Sequence, residues 1–156
     1  MKRRKRTKRN RSMRVIRLWN HPEALKALPY FRSITNSLRD QWLEVQSKRL
    51  DHQRLGRIVR PSRSELIALE DTAAAQDKAE DAFNESLEEL MRMDVFLLDP
   101  VHGLALIPFQ QDDELAWYVF DLHDDAGLSA WRFHKDPIEM RRPMPEDAKL
   151  PAATAK

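Results

Sequence analysis

The chain has 156 residues, the length of one modest domain with appendages. It contains no cysteine, which excludes disulfides, thiolate metal sites and cysteine nucleophiles and agrees with a reducing cytoplasm. The net charge of +2 hides an asymmetry, because ten of the 27 basic residues lie within residues 2–17, where there is no acid. The remainder is acidic, which argues against a broad nucleic-acid-binding surface on the fold itself.

Residues 1–17 form a basic leader, which we predict to be disordered in isolation because a run of like charges has nothing to bury. One interpretation is an arm that binds the phosphates of RNA, DNA or an anionic lipid surface. The alternatives are a solubilising tail, or a translation start at Met13 that leaves the leader out of the protein. The candidate nucleic-acid contacts are Lys2, Arg3, Arg4, Lys5, Arg6, Lys8, Arg9 and Arg11.

The leader lacks the apolar segment of a secretory signal. No uninterrupted apolar run in the chain approaches the roughly 18 residues that a membrane span needs. We therefore predict a cytoplasmic protein without a membrane span.

Two long helices are predicted within residues 20–93. Asn20 suits the N-cap of the first helix, and Pro29 either restarts or kinks it. Apolar residues then recur every three to four positions as far as about Leu55. Ser64 is the predicted N-cap of the second helix, which ends near Met93. Helices of similar length joined by a short loop fold back as an antiparallel hairpin with coiled-coil character.

Three or four short strands follow within residues 95–134 and predict an antiparallel meander. Pro108 should place its strand at an edge or bulge. The segment Leu115–Leu122 is rich in aromatic and β-branched residues and is the predicted middle strand. Both of its faces are largely apolar, although the helical hairpin can cover only one of them. We therefore expect the second face to meet a second copy of the chain in a homodimer.

The predicted fold class is α+β, with a long antiparallel two-helix hairpin followed by a three- or four-stranded antiparallel β-meander. A single domain would cover residues 18–143. The proline- and alanine-rich residues 144–156 are predicted to form an unstructured tail.

Several short motifs occur in a fixed order between Pro22 and Pro143. They read HPEALKALPYFRSITNSLRD, GLALIPF, LAWYVFDL, an FH pair and RRP. In this order they resemble a family of small bacterial and archaeal proteins, the domain of unknown function 2203. On this resemblance Phe133 and His134 match the family's aromatic–histidine pair, and Arg141 and Pro143 match its terminal arginine and proline. Leu106 or Ile107 stands where the family has an acid. The resemblance implies the architecture and supplies no mechanism.

One cluster of side chains has the composition of a divalent-metal site. Asp121 and His123 would lie on one face, two residues apart, at the end of the middle strand, and His134 would join them if the meander pairs as predicted. Carboxylates and imidazoles are ligands for zinc, iron or manganese. The alternative is that the segment around Asp124 and Asp125 is simply a polar hairpin turn.

Two further positions have a binding and a structural interpretation. Arg141 and Arg142 are candidates for gripping a carboxylate or phosphate, or else for pairing with acids of the second helix. His134, with Trp131 and Arg132, is a candidate anion-binding spot or a histidine packed against aromatic rings.

No glycine-rich phosphate loop, G-x-S-x-G, H-E-x-x-H or Walker pattern occurs in the sequence. The leading hypothesis is therefore a non-enzymatic interaction or assembly module, tethered by its basic arm to nucleic acid or a ribonucleoprotein. The alternative is a small metal-binding protein or metal-dependent enzyme centred on Asp121, His123 and His134.

Overall fold

The computed structural model describes residues 15–145, so the candidate nucleic-acid contacts of the leader lie outside the described residues. The elements are α1 His21–Lys26, α2 Leu28–Gly56, α3 Arg63–Arg92, β1 Phe96–Asp99, β2 Leu104–Gln111, β3 Glu114–Asp121, β4 Ala130–Phe133 and β5 Arg142–Pro143. The strands form one antiparallel sheet in sequence order. The predicted α+β class is confirmed. Within the described residues the meander has five strands instead of three or four, because residues beyond the predicted last strand return to pair with β4.

Local signals explain where the helices begin. The Asn20 side chain accepts a hydrogen bond from the Glu23 N–H at 2.9 Å and caps α1. Pro29 lies in the first turn of α2, so it restarts the helix after a break at Ala27. The predicted N-cap of α3 is wrong by two residues. Ser62 caps it, in a reciprocal pair of hydrogen bonds with Glu65.

The inner face of the sheet and the first turns of α2 enclose the core. Phe31 of α2 lies with its ring centroid 6.0 Å from that of Phe120 in β3 and 5.5 Å from that of Trp19. Ile34 and Leu38, one and two turns further along α2, belong to the same cluster. The first turns of α2 therefore cover the inner face of the sheet, and the rest of the hairpin extends beyond it.

The segment before α1 is hydrogen-bonded to β2 and to the end of α3. Trp19 donates its backbone N–H to the Pro108 carbonyl at 2.7 Å and its indole N–H to the Met93 carbonyl at 3.1 Å. Within the described residues, β1 pairs with β2 only at Leu104–Leu106, so Pro108 lies where β2 has no β1 neighbour. β2 is the second of the five strands and has no bulge at Pro108, so the predicted edge or bulge position of this strand is wrong. Pro108 itself lies beyond the end of β1, where its missing N–H breaks no strand pairing.

The residues on either side of the predicted domain 18–143, Arg17 and Met144, contact the fold. The Arg17 backbone N–H donates to the Asp94 carboxylate at 2.9 Å, and its guanidinium lies 4.2 Å from the Trp19 ring centroid. Met144 is buried, and its N–H donates to the Ser129 carbonyl at 3.0 Å. No helix within residues 15–145 is long and apolar enough to cross a membrane.

Candidate functional site

The outer face of the sheet, opposite the helices, carries a continuous trough made of three adjoining cavities. The first, about 450 Å³, is lined by Phe96, Leu98, Leu106, Trp117, Arg132, His134, Asp136 and Ile138. Leu98 and Ile138 also line the second cavity, of about 430 Å³. Leu104 and Arg141 join that cavity to a third, of about 350 Å³. The second apolar face expected from the middle strand therefore exists, and the segment after β4 forms one wall over it.

Arg132 is the buried charge of the first cavity, here called the Arg132 cavity. β4 places it directly opposite Trp117 on the outer face, and only 5% of its surface is exposed. Its Nη2 donates to the Asp136 carbonyl, but its Nε has no hydrogen-bond partner in the described part of the chain. An unmet buried donor costs about 1–3 kcal/mol. The Nε–H is itself enclosed, so the fold leaves this donor without an acceptor, and only the small exposed part of Arg132 faces the cavity.

Trp117 and His134 form the aromatic side of the Arg132 cavity. The Trp117 indole N–H donates to His134 Nδ1 at 3.1 Å. Because Nδ1 accepts this bond, the ring proton of neutral His134 lies on Nε2. The Phe96 ring meets Trp117 edge-on, with centroids 5.6 Å apart. Trp131, by contrast, lies on the inner face of the sheet and lines a different pocket with Tyr118. The predicted grouping of His134 with Arg132 is thus formed, and Trp131 is not part of it.

Asp136 holds the wall of the Arg132 cavity to the sheet. Its carboxylate accepts two hydrogen bonds from Arg142, at 2.9 and 3.0 Å, and one from the Phe133 N–H at 2.9 Å. The hydrogen bonds from Arg142 lower the pKa of Asp136 to about 2. Arg142 therefore pairs with Asp136 and not with an acid of α3. The binding of an external carboxylate or phosphate by Arg142 stays a prediction. Asp136 was not predicted, although an Asp-Pro turn directly after a strand is a recognisable signal.

Replacing Asp136 with Asn should lower the urea midpoint at neutral pH, because β5 loses its ionic link to β4. The pKa of Asp136 falls from 3.8 to about 2 in the folded state. The stability that it contributes is therefore complete above about pH 4 and is lost as the pH falls towards 2. Urea titrations across this pH range should show a steeper loss for the wild type than for Asp136→Asn. Asp125→Asn, at an exposed turn position, should behave as wild type, and equal pH dependence in all three chains would contradict the assignment.

The far end of the trough contains two of the three predicted metal ligands. Asp121, His123, His102 and Arg141 line the third cavity, and Arg141 Nη1 lies 3.5 Å from an Asp121 carboxylate oxygen. His134 is not there. Its N–H pairs with Leu115, near the opposite end of β3, which places it about 20 Å from Asp121 along the strand. The described residues hold no group of three ligands able to bind a metal, so the predicted trio does not form a site.

The turn after β3 accounts for the carboxylates that suggested a metal. Asp121 accepts a hydrogen bond from the His123 N–H at 2.9 Å, and Asp124 accepts one from the Ala126 N–H at 3.0 Å. Gly127, with a φ of 75°, completes the turn. The carboxylates are thus hydrogen-bonded within a polar turn, in agreement with the structural interpretation of this segment.

A second candidate surface is the half of the helical hairpin furthest from the sheet, here called the free half. Of the 30 residues of α3, Leu90 alone is classed as buried, and it lies beside the sheet. On α2, Leu43 and Leu50 lie seven residues apart on one face and are half-exposed. Leu66 and Ile67 of α3 are also about half-exposed. The free half is therefore a two-helix layer whose apolar side chains have no third layer over them in the described chain.

The charges of the hairpin are segregated along its length. Four arginines and no acid lie around its tip: Arg54, Arg57, Arg60 and Arg63. Closer to the sheet, α3 carries an exposed acidic stripe at spacings of three and four residues: Asp77, Asp81, Glu85 and Glu88. These sets were not identified in the sequence, because their significance depends on which ends of the helices project from the fold.

Comparisons of the chain with protein-family models, with curated proteins and with solved structures found no match. The resemblance to the domain of unknown function 2203 accordingly stays a prediction based on its short motifs.

Proposed function

We propose that this protein is a non-enzymatic assembly module that pairs with a second copy of itself through the free half of the hairpin, and that its basic arm tethers the pair to a polyanion. The observation that carries the proposal is the exposed apolar face of the free half. Leu50 is 53% exposed and Leu43 is 45% exposed, on a helix pair that buries little else at that level. Burial of such a face is the main source of stability for an isolated helical layer.

The spacing of the leucines suits an antiparallel partner. Leu43 and Leu50 lie about 10 Å apart along α2 at 1.5 Å per residue. A twofold axis passing between them, near Gln46 and Ser47, would place Leu43 of each copy on Leu50 of the other. The same patch then serves both copies, as a symmetric dimer requires.

Leu43 and Leu50 lie on the side of α2 that faces away from α3. Val45, two residues after Leu43, is buried, and Trp42 contacts Phe83 of α3 with 5.3 Å between ring centroids. The two copies would therefore pair α2 against α2, with each α3 on the outside of the dimer.

The tether rests on the leader. Its eight candidate basic contacts precede a segment that Trp19 fixes to the sheet, so a polyanion bound by the arm would be held close to the fold. The arginine-rich tip adds a second positively charged area. Condensation on phosphate releases counterions and gives a steep dependence on salt, which distinguishes this binding from an apolar contact.

The dimer is tested by sedimentation equilibrium of the full chain at about 0.15 M salt, where only short-range charge pairs act. We expect the wild type to have twice the chain mass of 18.4 kDa. Leu50→Glu should be a monomer with an unchanged circular dichroism spectrum, since the side chain is largely exposed in one chain. Val59→Glu, which places the same charge at an 85%-exposed tip position, should remain a dimer.

An introduced charge pair tests the register. Leu43→Glu should weaken the dimer, and adding Leu50→Lys should restore it in part, because the two side chains would face each other across the twofold axis. A monomeric wild type at about 100 μM, a concentration that populates dimers with a Kd well below it, would overturn the proposal. A dimer that Leu50→Glu leaves intact would move the contact to another surface, such as the outer sheet face.

A further inference from the structure

We propose that the Arg132 cavity binds a small monocarboxylate with an apolar body, such as an aryl- or branched-alkyl-carboxylic acid. This inference does not depend on the dimer, because the cavity lies on the outer sheet face and the free half projects from the other side of the fold. Its volume of about 450 Å³ falls in the range of small-molecule sites.

The lining of the cavity combines one buried cation with apolar side chains. Arg132 lines it with 5% of its surface exposed, and the Nε donor has no partner within the described residues. A carboxylate matches a guanidinium in shape and charge better than a neutral acceptor does. Phe96, Leu106 and Trp117 supply the apolar surface for the body of the ligand.

The charged groups around the Arg132 cavity together favour an anionic ligand. Asp136 is the acid that lines it, and its carboxylate is already bound by Arg142 and by the Phe133 N–H. Arg132 also acts on this carboxylate, so two guanidiniums stand against one acid and the net charge of the three groups is positive. His134 lies at the solvent-exposed rim, where its Nε2–H is available as a second donor.

The size of the cavity and its single buried cation favour a small acid over a polyanion. A phosphate chain would need several cations along its length, whereas the neighbouring cavity along the trough adds two acids, Asp99 and Glu139, and one cation, Arg141. A monocarboxylate needs one guanidinium and an apolar surface.

The test is a titration of the full-length protein, labelled with ¹⁵N, with 3-phenylpropionate and with its neutral amide, 3-phenylpropionamide. Two side-chain signals report on the site directly: the Nε–H of Arg132 and the indole N–H of Trp117. We expect the acid to bind at millimolar concentration or below and to move both signals. The amide should bind at least tenfold more weakly and should leave the Arg132 signal in place.

Two matched substitutions locate the binding. Ile138 lines the cavity and is 65% exposed, so Ile138→Trp should fill the cavity without unfolding the chain and weaken binding at least tenfold. Met140→Trp introduces the same ring at a nearby exposed position that does not line the cavity, and binding should stay within twofold. Arg132→Met should also abolish the preference for the acid, with folding checked by the dispersion of the remaining amide signals.

Three outcomes would overturn the proposal. The first is the absence of any shift up to solubility, and the second is equal binding of acid and amide. The third is binding of the acid with the Arg132 signal unmoved and Ile138→Trp as effective as the wild type. None of these results bears on the mass of the protein, so failure here is distinguishable from failure of the dimer.

Discussion

A chain that begins at Met13 is expected to bind single-stranded RNA and duplex DNA far more weakly than the full chain at low salt. The leader segment removed carries the eight candidate phosphate contacts, while the rest of the chain has more acidic than basic residues. If all eight contact phosphates, the log–log salt slope for single-stranded RNA should be about −6. Between about 50 and 200 mM salt the affinity should then fall by roughly three orders of magnitude.

The measurement is a fluorescence-anisotropy titration of both chains at several salt concentrations. A full chain with Arg57→Gln and Arg60→Gln serves as the control for the hairpin tip. Its log–log salt slope should decrease by no more than the contribution of two phosphate contacts. Equal affinity and slope for the full and shortened chains would remove the arm from the proposed function. The tip would then be the next candidate for any remaining binding.

Phe31→Ala is expected to lower the free energy of unfolding by about 3–5 kcal/mol, a large part of the total of a domain of this size. Phe31 is 1% exposed and joins the three parts of the core, since its ring contacts Trp19 before α1, its own helix and Phe120 in the sheet. Truncation leaves a cavity that none of these can fill by local movement, because each is held by backbone hydrogen bonds. The expected loss therefore lies at the high end for a single substitution.

Urea denaturation followed by circular dichroism, at one fixed protein concentration, measures this loss. Val59→Ala, at the exposed tip, should change the unfolding free energy by no more than about 0.5 kcal/mol. A loss below about 1 kcal/mol for Phe31→Ala would show that the hairpin and the sheet do not share one core.

The sequence predicts the elements well where periodicity is long and continuous. The stripe of α2 and the aromatic strand β3 extend over many residues, so the hairpin and the meander follow from them. β5 was missed because two residues carry no period, and its pairing depends on Asp136, which folds Arg142 back onto the sheet. The N-cap of α3 was misplaced because Ser62 and Ser64 both suit the position and only Ser62 has Glu65 three residues on.

The candidate sites were predicted less well, because they depend on which residues a strand register brings together. An antiparallel meander can bring Asp121 and His134 together only in one register. In the observed register they lie near opposite ends of β3. The burial of Arg132 could not be predicted, since it depends on the segment that crosses over it after β4. In the sequence Arg132 is simply an arginine in a strand, and nothing there marks it as buried.

The anchor at Trp19 determines how a pull on the basic arm would act on the protein. The backbone bond from Trp19 reaches Pro108, in the part of β2 that extends beyond β1, and its indole bond reaches the end of α3. Tension on the arm would therefore load β2 and the last turn of α3 together, and would not peel away a loose terminus. If the arm binds a nucleic acid under tension, the arm would therefore detach from the fold only when β2 and α3 themselves unfold.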